Sequence, residues 1–371
     1  MNLLAIVLPL MINSMGLQPD TTGQKNLNDG PYVLYQKDKI EVRSIVLENG
    51  ARKAVVQTFP ARKKSSVPVK LQFSNHPDWN FSVKLQPVLE NEPAEFRQPD
   101  RIFALSDIEG EFEAFRALLI ANKVIDKHYN WIFGKGHVVI CGDLFDRGKE
   151  VPATIWLLYK LEQDAKAKGG YLHTILGNHD IMNLSGDLRY VVPEYFENAR
   201  LMGLDYKALY AQNTELGRWL RSKNLIEKIG DNLCLHAGVA PVINTLNMNV
   251  SELNSKCRPY YDKAKQVKQL TDSVVRKLFD GTRSSLFWYR GYFIEPKATE
   301  AEVDQTLSLY KVKRIIVGHT ITQTNVGAYY NGKVLGIDVD QHNGKHEGAL
   351  YENGTWYKTG LTESREVLIK K

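Results

Sequence analysis

Between about residues 32 and 88 apolar and polar residues alternate in short runs, as in Ile40-Glu-Val-Arg-Ser-Ile-Val-Leu47 and Ala54-Val-Val-Gln-Thr-Phe59. Alternation of period two marks half-buried strands. The intervening Asn49-Gly50 supplies the two residues that most readily take the positive φ of a tight hairpin turn. The pattern predicts a small all-β domain over residues 17–98, with the polar stretch 90–99, which holds two prolines, as a linker. Beyond it the period changes. Arg101-Ile-Phe-Ala-Leu-Ser-Asp107 is an apolar run closed by a carboxylate, after which Phe112, Phe115, Leu118 and Leu119 fall on one helical face. The unit recurs. His137-Val-Val-Ile-Cys-Gly-Asp143 leads into a helical stretch over 151–168 stopped by Gly169-Gly170, and Tyr171-Leu-His-Thr-Ile-Leu176 runs into Gly177-Asn-His-Asp180. Two later apolar runs stop at His236 and His319. Strands alternating with helices, with polar residues at the strands' carboxyl ends, predict an α/β catalytic domain over 99–371. An amphipathic helical insertion is expected over 186–230 and a further helix over 261–279.

Composition narrows the class. With 371 residues, 43% of them apolar and 24% charged, the chain is long enough for a large core and unlike disordered or coiled-coil sequences. Its net charge of +6 suits anionic partners but falls short of a dedicated nucleic-acid binder, and no nucleic acid is expected as a partner. The basic cluster Arg62-Lys63-Lys64 reads as a solvated loop tip. Three cysteines are too few for a disulfide framework or a thiolate metal site, and Cys141 and Cys234, inside apolar runs, read as buried thiols. The apolar residues 3–12 followed by Ser14-Met15-Gly16 fit a signal peptide over 1–16, although no Lys or Arg precedes the run. The run is too short to span a bilayer, so the expectation is export to a periplasm or envelope without a stable membrane span, and a cytoplasmic location if that segment is a plain N-terminus.

The strand ends carry the chemistry. Asp107, Glu109, Asp143, Asn178, His236 and His319 form an oxygen and nitrogen set without a thiolate, suited to two divalent cations such as Mn, Mg, Fe or Zn. A carboxylate such as Asp143 can bridge two ions about 4 Å apart, the separation used to activate water against phosphorus. A lone aspartate at a strand end is commonly a turn former or helix cap. Five strand ends that all present ligands have no such folding rationale.

Gly142-Asp-Leu-Phe-Asp-Arg-Gly148, Gly177-Asn-His-Asp180, His236-Ala-Gly238 and Gly318-His-Thr320, in this order, resemble the blocks of the calcineurin-like metallophosphoesterases. More narrowly they resemble the phosphoprotein phosphatase lineage and its bacterial Shewanella-like branch, to whose segments Asn183-Leu-Ser-Gly-Asp-Leu-Arg-Tyr190 and Phe287-Trp-Tyr-Arg290 are similar. The likeness covers about residues 100–350 and leaves the front β domain outside. It implies a two-sheet sandwich flanked by helices. It also implies that Asp107 and Asp143 hold one metal and that Asp143, Asn178, His236 and His319 hold the second. His179 becomes the general acid oriented by Asp146, and Arg147 and Arg290, with Arg189 as a third, grip the phosphoryl oxygens. The implied activity is hydrolysis of phosphate monoesters, in phosphoproteins or small molecules, by a hydroxide that bridges both metals. A phosphodiesterase or dinucleoside-polyphosphate hydrolase would share most of these ligands, and a binding protein with a decayed site is the non-enzyme alternative. One position departs from the family: Glu109 stands where a histidine is usual. If it ligates, three carboxylates against two divalent cations leave +1 in place of +2, which favours harder ions, manganese foremost.

Overall fold

A computed structural model describes residues 28–281, 284–322 and 325–370. The expected signal segment lies outside the described residues. No helix among them is long and apolar enough to cross a membrane.

The expected hairpin forms. Strands Lys39–Glu48 and Ala51–Pro60 pair along their whole length around Asn49 (φ 52°) and Gly50 (φ 79°), and Asp29–Tyr35 adds antiparallel to the free side of Lys39–Glu48. This N-terminal all-β sheet has no separate core. Tyr32, Val33, Ile40, Val42 and Ile45 are buried in the same apolar cluster as Trp156 and Tyr159 of the helix Val151–Ala167. Trp156 Nε1 donates to the Pro31 carbonyl at 2.8 Å, and the hydroxyls of Tyr35 and Tyr159 both donate to buried Glu215. A fully buried aromatic contributes on the order of 2–3 kcal/mol, so this seam holds the front sheet to the rest of the chain.

Two six-stranded mixed sheets form the centre. The first runs in the order Arg365–Ile369, Thr355–Thr359, Gly348–Glu352, Arg101–Leu105, His137–Cys141, Tyr171–Ile175; the second runs Gly327–Tyr329, Val334–Gly336, Arg314–Val317, Asn232–Leu235, Ile226–Ile229, Glu95–Phe96. Side-chain alternation explains their apolar runs. Ile102, Ala104, Val139 and Cys141 meet Ile229, Cys234 and Ile316 between the sheets, while Phe103, Leu105, Val138 and Ile140 turn outward into the helix-covered core. Strands buried on both faces need no polar positions. Both cysteines are free and buried, as read from the sequence. Within the stretch read as a linker, Glu95–Phe96 pairs in parallel with Ile226–Ile229. Nearby Glu92 forms an ion pair with buried Lys223 at 2.9 Å.

The helix expected over 261–279 is divided. A 3-10 segment, Arg258–Gln269, ends at Leu270, which is extended (ψ 138°). The Asp272 carboxylate then accepts the N–H groups of Val274 and Val275 and starts a new helix, Ser273–Phe279. An aspartate cap satisfies otherwise orphaned donors at a new helix start, so amphipathic spacing alone reads across the break.

Candidate metal centre

The carboxyl ends of Arg101–Leu105, His137–Cys141, Tyr171–Ile175 and Arg314–Val317 open on one cavity of about 450 Å³, and Asn232–Leu235 delivers His236, fully buried, behind its wall. Asp107, Glu109, Asp143, Asn178, His179, Arg147, Arg290 and His319 line it. The backbone there is unusual. Asp107, Glu109, Asp143, Asp146, Arg147 and His319 all have φ between 49° and 74°. A non-glycine residue in this region costs about 1 kcal/mol or more and persists where the surroundings over-determine it, as at ligand clamps. The glycines of the blocks have steric reasons. A Cβ on Gly142 (φ 88°) would stand 2.5 Å from His236 Nδ1, and one on Gly177 would stand 2.1 Å from Asp143 Oδ1.

Four of the expected ligands converge. His236 Nε2 lies 3.2 Å from Asp143 Oδ2 and 2.9 Å from the Asn178 side-chain oxygen, and that same Asn178 atom is 2.8 Å from His319 Nδ1. His236 Nδ1 donates to the Cys141 carbonyl at 2.7 Å, which leaves Nε2 to face the cluster. Turned over, the Asn178 amide would donate its NH2 to both histidines; with its oxygen facing them, two imidazole nitrogens, an amide oxygen and a carboxylate oxygen aim lone pairs at one place, an arrangement that suits a cation between them. Burial lowers the basicity of His236, yet Asp143 beside it pushes its pKa up to about 10. The reciprocal effect holds Asp143 below the usual carboxylate range: burial raises it, and His236 and His179 more than offset this. Burial, next to His236 and Arg290, keeps His319 neutral. The donor set therefore fits a divalent cation. Asp143, His236 and His319 form one candidate metal-ligand group, and Glu109, Asp143 and His179 another that shares Asp143. Asp107 lines the same cavity, with Oδ2 accepting the His319 N–H at 3.0 Å, but belongs to neither group.

Glu109 reaches the cavity by its left-handed backbone rather than by strand alternation, because the strand ends at Leu105. Its carboxylate is in direct contact with the guanidinium of Arg147, so a candidate ligand and a candidate phosphate-gripping residue form one ion pair. Arg290 Nη1 donates to the His319 carbonyl at 2.7 Å, and among the described residues no carboxylate lies within ion-pair distance of it. His179 Nδ1 is 2.6 Å from Asp146 Oδ2, and its Nε2 faces Asp143 at 3.9 Å. Burial opposes a charge on His179, but Asp143 and the Asp146 hydrogen bond raise its pKa. Arg189 is not brought to the site. It is largely exposed, pairs with Asp187 at 2.9 Å, and does not line the cavity. A two-residue Asp-x-Arg pair on a loop satisfies that guanidinium locally.

Three residues were missed. Asp180 is buried and accepts the N–H groups of Asp143, Leu144 and Gly177, which ties together the two loops that carry Asp143 and Asn178. Burial, with Asp143 nearby, pushes its carboxyl up to about 7. Asp338 lines the cavity and is 5% exposed. It ends the apolar run Val334-Leu-Gly-Ile, the same strand-end pattern that marks the candidate ligands. Gln341 donates to the Ser106 carbonyl at 2.7 Å and closes that wall. His342 lies 2.7 Å from Glu111 at the cavity rim.

The comparisons agree with this geometry. Residues 100–323 match the calcineurin-like phosphoesterase family. Shewanella-like protein phosphatase 2 of Arabidopsis thaliana is 26% identical over 298 residues, covering 68% of this chain and 74% of that protein. Shewanella-like protein phosphatase 1 of Plasmodium berghei is 30% identical over 258 residues, covering 68% and 70%. Among solved structures, the cold-active protein-tyrosine phosphatase of a psychrophilic Shewanella species superposes with a TM-score of 0.82 at 34% identity, covering 92% of this chain and 99% of that one. The strand-end ligand set, the two-sheet sandwich and these likenesses place the chain in the calcineurin-like phosphoesterase family, alongside the Shewanella-like phosphatases, as a phosphatase acting on phosphate esters.

Proposed function

We propose that the chain hydrolyses phosphate monoesters, aryl phosphates such as phosphotyrosyl side chains ahead of alkyl ones, with two divalent cations, manganese foremost. The observation that carries this reading is the convergence of Asp143, Asn178, His236 and His319 beside the His179–Asp146 pair. Asp143, Asn178, His236 and His319 would hold one cation, and Asp107 and Asp143, with Glu109, the other. Bound there, the cations would supply Lewis acidity and a nucleophilic water deprotonated near neutral pH. The chain's own residues do the rest. Arg290, fixed by the His319 carbonyl, presents its remaining N–H groups to phosphoryl oxygens, a planar fork suited to that shape. Arg147 does the same once Glu109 turns to a cation. His179, held by Asp146, keeps a proton for the departing oxygen.

The preference for aryl esters rests on the rim. Tyr190, Trp288, Ile294 and Ile321 line the cavity, and Tyr190, Ile294 and Ile321 are each close to half exposed. The Tyr190 ring lies 5.1 Å from that of His179, where a flat leaving group would stack. The Shewanella neighbour, described as a protein-tyrosine phosphatase, points the same way. The test is kcat/KM on 4-nitrophenyl phosphate, bis(4-nitrophenyl) phosphate, and matched phosphotyrosyl and phosphoseryl peptides after reconstitution with Mn. Monoester ahead of diester and tyrosyl ahead of seryl, each by at least about tenfold, is the expected order. Faster diester cleavage overturns the reading.

A further inference from the structure

A second cavity, of about 580 Å³, opens away from the metal centre between the segment 87–91 and the helix Glu215–Arg221. Lys64, Arg218, Arg221 and Arg258 line it, and no carboxylate does. Two of these charges are committed: Arg221 to Asp262 at 2.5 Å, and Lys64 to Glu215 at 3.4 Å. The other two are not. Arg218 is exposed, its Nε donates to the Gln212 carbonyl and its guanidinium lies 4.3 Å from the Tyr35 ring centre. Arg258 donates to the carbonyls of Arg221 and Lys223 and to the Asn224 side chain. Neither has an ion-pair partner among the described residues. Of the basic cluster Arg62-Lys63-Lys64, Lys64 alone lines the groove.

The opposite wall is polypeptide of a particular kind. Pro87-Val88-Leu89 has no regular secondary structure, Val88 is 68% exposed, and the N–H groups of Val88 and Leu89 donate to no acceptor among the described residues. An irregular strip with unused donors and an apolar side chain, facing uncompensated guanidinium groups, matches an extended acidic peptide. Such a peptide offers main-chain acceptors to one wall, carboxylates to the other and an apolar residue to Val88. Among the described residues the rings near these cations are Tyr35, under Lys64 and Arg218, and buried Tyr261, 6.0 Å from Arg258; neither lines the groove, so the stacking platforms that single-stranded nucleic acids need are missing from the lining.

We propose that this groove is a docking site for an acidic, extended polypeptide segment, separate from the catalytic cavity. It does not rest on the catalytic assignment, and an unphosphorylated ligand tests it. A fluorescein-labelled 12-residue peptide rich in Glu and Asp with one central Leu is titrated with the full chain at low salt and followed by anisotropy. Saturable binding is expected, weakened at least about fivefold by Arg218→Glu, retained by Arg218→Lys, and weakened by raising the salt. Turnover of 4-nitrophenyl phosphate stays unchanged in both variants, which reports an intact fold. Val88→Glu, on the opposite wall, weakens binding too. No saturation up to about 1 mM protein, binding indifferent to both Arg218→Glu and Val88→Glu, or an oligonucleotide bound more tightly than the peptide overturns the proposal.

Discussion

Replacing Asp146 by asparagine tests the proton-donor assignment through a hydrogen-bond network whose directions are forced. Tyr206 donates its hydroxyl to Asn183 Oδ1 at 2.9 Å, so the Asn183 amide must donate, and it does so to Asp146 Oδ1 at 2.9 Å. The other Asp146 oxygen takes the His179 Nδ1 proton at 2.6 Å. In the variant, the introduced amide must offer its oxygen to Asn183 and its N–H to His179. Nδ1 then has to accept, the single proton of the neutral ring moves to Nε2, and the imidazolium loses a charge-assisted bond worth about 1.5–3 kcal/mol. Loss of that bond lowers the His179 pKa, and the same energy of about 1.5–3 kcal/mol, felt where the proton is delivered, corresponds to about ten- to a hundredfold in rate. The consequence depends on the leaving group. A nitrophenolate departs with little help and should lose less than about fivefold in kcat, whereas a poor leaving group should lose about a hundredfold. The assay is kcat across a series of aryl and alkyl phosphates, with melting temperature as the check on folding. The slope against leaving-group basicity steepens in the variant. The alkaline limb for poor leaving groups moves to lower pH, because activity requires the protonated ring and is lost as pH rises through its pKa. A loss equal across the series, or none for the poor leaving groups, refutes the role of His179.

Glu109→His should shift the metal preference of reconstituted apoenzyme toward Zn by at least about threefold relative to Mn, because it raises the formal site charge from +1 to +2. Wild-type activity restored best by Zn, unchanged in the variant, contradicts this. Asp29 is buried, and burial, against hydrogen bonds from Tyr32 and Asn198, pushes its carboxyl from 3.8 up to about 6. Because the folded pKa lies above the unfolded one, the native state loses about 3 kcal/mol as pH rises from about 4 to about 6 and does not regain it above. Asp29→Asn should therefore raise the melting temperature by a few degrees at pH 7.5 and leave it unchanged or lower at pH 4, and a drop at both pH values counts against the argument. Arg189→Ala should leave kcat/KM within about twofold, since the guanidinium pairs with Asp187 in solvent; a tenfold loss would restore it to the site.

What was legible follows one physical rule and stops where the rule stops. In these sheets the chain leaves each of the mutually parallel strands at the same edge, so a polar residue directly after such an apolar run is delivered to that edge by local sequence alone. Asp143, Asn178, His236 and His319 needed nothing more, and the structure puts them within a few ångströms of one another. Asp338 obeys the same rule after Val334-Leu-Gly-Ile and went unread because no recognised block framed it. The pairing of Glu109 with Arg147 was of another kind: the two lie 38 positions apart, and the left-handed turns that aim them at each other leave no periodicity behind. Arg189 failed for the converse reason. Its neighbour in the chain, Asp187, satisfies it before the site can. The front sheet shows the limit most plainly. Its hairpin was readable to the residue from Asn49-Gly50, yet its attachment depends on Trp156, Tyr159 and Glu215, which lie a hundred or more positions downstream. Strands and turns record their own conformation in sequence, while a shared core is recorded only in the complementarity of surfaces that the chain brings together after folding.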